Sequence, residues 1–238
     1  MADTEYWTVP ADAYVRGGGE YTITVLTPPY QVDSGRLPAN DAVAARQFAE
    51  AFPTVEEVLE VLPDAPANEG LYLTTRTDLD LIRVGVWGNV IGISDPALID
   101  DGTRFTMASE TATVAERCPD ARVVGRLAVD CGEDYTEDIA RLPDGSRLHA
   151  GGYPGTEPWE VHGTPRGLLT ALGLSPADPE AHGVQWTDDP ARMNWSDLCN
   201  LALGKANPWV WPLPMSVFRV RHTEEATGIM EDSWFIGS

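Results

Sequence analysis

The densest run of titratable side chains is Asp130, Glu133, Asp134, Glu137 and Asp138. Carboxylates this close together suit three tasks. They can pair as general acid and base, hold a hard divalent cation through oxygen ligands, or form a solvated surface that attracts a basic protein. An EF-hand loop needs ligands at alternating positions, a central glycine and a terminal glutamate, and the order here does not match. The acid–base use implies a hydrolase, with or without a divalent cation. The surface use implies a non-catalytic binding protein of the inhibitor or immunity type.

Other reactive groups are sparse. His149, His162, His182 and His222 are scattered, and there is no His-Glu-x-x-His frame, Cys-x-x-Cys pair or Gly-x-Ser-x-Gly elbow. No cofactor or metal is expected from these spacings. Cys131 adjoins the acidic run, and His149 lies across the reversal that follows, but neighbouring carboxylates disfavour a thiolate. Cys199 falls on an apolar helical stripe and reads as a buried thiol.

Tryptophans crowd the C-terminal half, and Asn207–Pro214 holds Trp209 and Trp211 between prolines that forbid a helix. Extended, this segment puts both indoles on one face. They can wall a small-molecule site, anchor a partner, or clamp the segment over the core.

Charge narrows the partner class. With 37 acidic and 16 basic residues the net charge is −21, which disfavours nucleic acid and favours a basic protein, although acidity also serves solubility alone. No run approaches the roughly 20 apolar residues of a membrane span, and the N-terminus lacks a signal peptide's pattern. A cytoplasmic protein with reduced thiols is expected.

The elements that position these residues read as α+β: mainly antiparallel sheet built from hairpins and a meander, under four or five short helices. Residues 1–238 are expected to form a single domain, with a possible subdivision near 105. Val123, Leu127 and Val129 alternate with Arg122, Arg126 and Asp130, which marks a half-buried strand. A second strand to Leu142, a Pro143-Asp144-Gly145 turn and a third from Ser146 to Ala150 complete a meander.

Strands are also expected at Tyr6–Val9, Tyr21–Thr27, Leu71–Thr75, Leu79–Trp87 and Val90–Ile93, with a hairpin turn at Gly88-Asn89. Gly17-Gly18-Gly19 reads as a flexible turn. Helices are expected over 40–52, 109–118, after Thr164-Pro165, and over 196–203. Thr54 and Glu57 form a capping box ahead of Val55, Val58, Leu59 and Leu62, which predicts a further helix. Met215–His222 and Gly228–Ile236 suggest a terminal hairpin.

Overall fold

The computed structural model describes residues 6–15, 17–100, 106–130, 134–154, 159–177 and 179–235. Among them, nine strands form one antiparallel sheet and five α-helices flank it, with about 33% strand and 31% helix. The strands are β1 (Gly18–Leu26), β2 (Val55–Pro66), β3 (Leu81–Trp87), β4 (Val90–Ser94), β5 (Arg122–Asp130), β6 (Asp134–Arg141), β7 (Arg147–Gly152), β8 (Glu160–His162) and β9 (Pro214–His222). The helices are α1 (Ala42–Glu50), α2 (Thr106–Arg117), α3 (Pro165–Ala171), α4 (Trp195–Asn200) and α5 (Glu224–Trp234). The sheet order is β2-β9-β3-β4-β1-β5-β6-β7-β8. Because β1 pairs with β4 on one side and β5 on the other, strands from both sides of residue 105 share this sheet.

The expected meander is β5-β6-β7, and its second turn closes with Gly145 at φ 85°. β3 and β4 form the expected hairpin. Only Gly88 there takes positive φ, at 67°, so a single left-handed residue suffices for the turn, as in type II′ geometry.

Alternation along these strands creates two different faces. The first face is apolar: Tyr21, Ile23 and Val25 of β1 and Val123 and Leu127 of β5 pack under α1, α2 and α5 through Ala45, Met107 and Met230. The second face carries Leu26, Val124 and Ala140 beneath α3 and α4, with Leu169, Leu198 and Cys199 completing that core. Helix ends follow local chemistry. Asp41 caps α1 by accepting from Val43 and Ala44 N, and the Thr164 hydroxyl accepts from Gly167 N at α3.

Several expectations are corrected. The segment after Thr54 is the edge strand β2, not a helix. Its register against β9 slips three times, so Val55, Val58 and Val61 face His222, Val220 and Phe218. Each slip inserts an extra residue, and a strand bulged this often imitates helical spacing. The terminal hairpin is instead β9 followed by α5, with Thr223 as N-cap and Ala226, Ile229, Met230 and Trp234 buried along one stripe. Leu71–Thr75 and Tyr6–Val9 form no strand, apart from a bridge between Tyr14 and Thr75. Gly18 and Gly19 lie inside β1. Asn207–Pro214 is not extended either. A 3-10 turn over Pro208–Val210 sends Trp209 and Trp211 to different surroundings.

Candidate functional site

In an antiparallel sheet, directly opposed residues share a face, so register alone assembles a row of side chains across several strands. On the second face one such row is polar from end to end. Arg83 opposes Ser94, Ser94 opposes Thr22, Thr22 opposes Arg126, and Arg126 opposes Asp138. The neighbouring row, Gly85-Gly92-Thr24-Val124, is largely small. Above it sits Trp209, whose Nε1 donates to the Thr24 hydroxyl at 2.7 Å. A β-carbon on Gly92 would come within 3.1 Å of the Trp209 ring, so a side chain there would push the indole away.

The α4 residues Ser196 and Asn200, the Asn207 turn and the stretch following β2 border the polar row without filling the space beside it. The result is a cleft of about 280 Å³ whose floor is Arg83, Ser94, Thr22 and Arg126 and whose walls include Asn68, Asn200 and Trp209. Arg126 pairs with Glu20 and, at 3.4 Å, with Asp138. Asp138 is only 5% exposed, and burial pushes its carboxyl up to about 7, with the Arg126 guanidinium opposing that rise.

Arg83 is held differently. It is 3% exposed, and its Nη1 donates to the carbonyl oxygens of Pro66 and Glu69. Its Nε has no hydrogen-bond partner, and no ion pair involves Arg83 among the described residues. The Glu69 carboxylate acts on it only at longer range, and burial pulls its pKa below the usual guanidinium value.

The sequence-predicted carboxylates do not form one surface. Asp130 and Asp134 are exposed partners where the chain passes from β5 to β6, whereas Glu137 and Asp138 are buried and, being adjacent in β6, point to opposite faces. Glu137 is fully buried beside His149, with Oε1 2.8 Å from Nε2 but without hydrogen-bond alignment. Glu133 and Cys131 lie outside the described residues. Of the two indoles, Trp209 belongs to the cleft, while Trp211 is 46% exposed near Gly35.

Elsewhere, Asp95 and His222 form a buried pair at 3.0 Å on the first face. Asp95 also accepts from Ala97 N and from the Thr54 hydroxyl. A second concavity of about 290 Å³ adjoins Thr54 and holds Glu110 and Glu225. Among the described residues, no group of three or more His, Cys, Asp or Glu side chains is arranged to hold a metal ion. None of the helices described there is long and apolar enough to cross a membrane.

Sequence reasoning reached Trp209 and Asp138 but missed Arg83, Ser94 and Arg126 as one constellation. A signal was present at Arg83, a charge in the middle of the apolar run Leu81–Trp87. Its companions become visible only once strand register is known.

A family model matches residues 6–237. The chain belongs to DUF6333, a family of unknown function. No curated protein and no solved structure matches this DUF6333 member, so the cleft is interpreted from its own chemistry.

Proposed function

We propose that this DUF6333 protein is a non-catalytic binding protein of the cytoplasm whose ligand is a small molecule held in the cleft beneath Trp209. The observation that supports this reading is the polar row Arg83-Ser94-Thr22-Arg126 lining the floor of a concave site. Its volume of about 280 Å³ lies at the lower edge of the small-molecule range, which begins near roughly 300 Å³. The lining supplies hydroxyl, amide and guanidinium groups, the carboxylates Glu20 and Glu69 and one aromatic wall, and among the described residues it has no histidine, cysteine or lysine. Such a set can orient a small ligand through hydrogen bonds, charge and one flat apolar contact.

Docking of a basic protein on the acidic run has less support, because the described carboxylates are divided between solvent and two buried positions. The net charge of −21 attracts cations generally but singles out no surface.

A ligand-observed NMR screen of a chemically mixed fragment library tests the reading. Binders are expected for the wild-type chain, and they should be lost when Ser196→Phe fills the cleft. Binders that ignore Ser196→Phe would refute the assignment.

A further inference from the structure

We propose that the ligand of this cleft is an anion, a small carboxylate or phosphate, received by the guanidinium of Arg83. The inference rests on the reading of the cleft as a small-molecule site and adds the chemical class of its occupant. A guanidinium cannot escape burial by losing its proton, so it needs acceptors on all its edges. In Arg83 the Nη1 donates to two backbone carbonyls, while the buried Nε has no hydrogen-bond partner among the described residues. Carbonyl oxygens satisfy hydrogen bonds without supplying a compensating charge. An oxyanion would supply both, and a carboxylate or phosphate matches the planar fork.

The other arginine of the floor provides the contrast. Arg126 already has Glu20 and Asp138, so its charge is compensated within the chain. Arg83 is the floor cation left for a ligand. Ser94 and Thr22 stand next in the row and Asn68 stands on the wall as further donors, while the Glu20 and Glu69 carboxylates also line the cleft and an anion must sit clear of them. Trp209 stands over Gly92, one strand across and two residues along from Arg83, which sheet spacings place roughly 8 Å away. A molecule with an anionic end on Arg83 and a flat apolar body toward Trp209 fits that separation.

The chain's net charge of −21 acts against any anion, but between exposed charges it is screened beyond about 10 Å at 0.1 M salt. Contact with a buried guanidinium is screened much less. Adding sodium chloride should therefore not abolish anion binding, unlike binding driven by a diffuse positive surface.

The test observes the Arg83 Nε–Hε resonance directly in 15N-labelled full-length protein, assigned by its absence in Arg83→Lys. Sodium phosphate and sodium acetate are titrated separately, with sodium chloride at matched ionic strength as control. The expected result is a saturable shift of this resonance with phosphate, acetate or both, none with chloride, and at least tenfold weaker binding of the same anion to Arg83→Lys. The two titrations separate phosphate from carboxylate recognition. No saturable shift with either anion, or an equal response to chloride, would overturn the inference. Neutral fragments that bind the cleft while both anions leave Arg83 unmoved would overturn it and leave the small-molecule reading standing. A cleft that takes neither fragments nor anions would remove both.

Discussion

Asp95 on the first face of the sheet and Arg83 on the second are buried in opposite ways. On the first face Asp95 is wholly enclosed with His222, Thr54 and the Ala97 amide around it. On the second, Arg83 is nearly as enclosed, yet among the described residues it has no counter-charge in contact, and it lines the cleft. A buried ion surrounded by partners belongs to the fold, because removing it strands those partners. A buried cation with an unpartnered donor beside a cleft costs the fold something, which an anionic ligand of the kind proposed would offset. For these two residues, similar burial hides a difference in partners.

The comparison makes a ranked set of predictions. The largest effect is expected from Asp95→Ala, which leaves the Thr54 hydroxyl, the Ala97 amide and His222 unpaired inside the core. A loss of about 3–5 kcal/mol in urea unfolding is expected, the usual cost of breaking a buried pair. A loss under about 1 kcal/mol would mean that the first-face network is not structural.

Next comes the pH dependence of Asp138. Its folded pKa of about 7 lies above the value near 3.8 of the free side chain. Its contribution is thus fully present below about pH 3.8 and is lost as pH rises through about 7. Asp138→Asn mimics the protonated form and should gain on wild type across that window, by up to about 4 kcal/mol at about 1.4 kcal/mol per unit. Unfolding curves of both proteins at pH 4 and pH 8 measure it. A constant gap between them would place Asp138 in an ordinary solvated setting.

The two indoles give the third contrast. Trp209→Ala removes the bond to Thr24 and the packing over Gly92, and should cost about 2 kcal/mol together with ligand binding. Trp211→Ala, at an exposed position, should stay within about 0.5 kcal/mol. Equal effects would mean that the pair acts as one anchor.

The smallest stability effect is expected at Arg83. Replacing an uncompensated buried cation with an apolar side chain of similar length should change stability by under about 1 kcal/mol and can raise it. Thermal denaturation of Arg83→Met checks this. A loss rivalling that of Asp95→Ala would erase the distinction between the faces.

Much of this fold was legible in the sequence because its signals were local. The meander followed from alternation at Val123, Leu127 and Val129, and α3 from Thr164-Pro165 at one end and Gly173, with φ 72°, at the other. β2 was misread because its bulges replaced a period of two by one close to three. α5 was misread because the alternating residues of its second half hid the longer stripe from Ala226 to Trp234. The site was legible only in fragments. Trp209 stood out by residue type, but Arg83, Ser94, Thr22 and Arg126 are brought together by register among four strands, which no local pattern encodes. The acidic run misled for a related reason: strand geometry sends adjacent carboxylates such as Glu137 and Asp138 to opposite faces.

The most direct measurement is a crystal structure with the tightest binder from the fragment screen. Density between Trp209 and the row from Arg83 to Arg126 is the predicted result. Density confined to the concavity beside Thr54, Glu110 and Glu225, with the cleft unchanged, would contradict the assignment of the second face as the binding face.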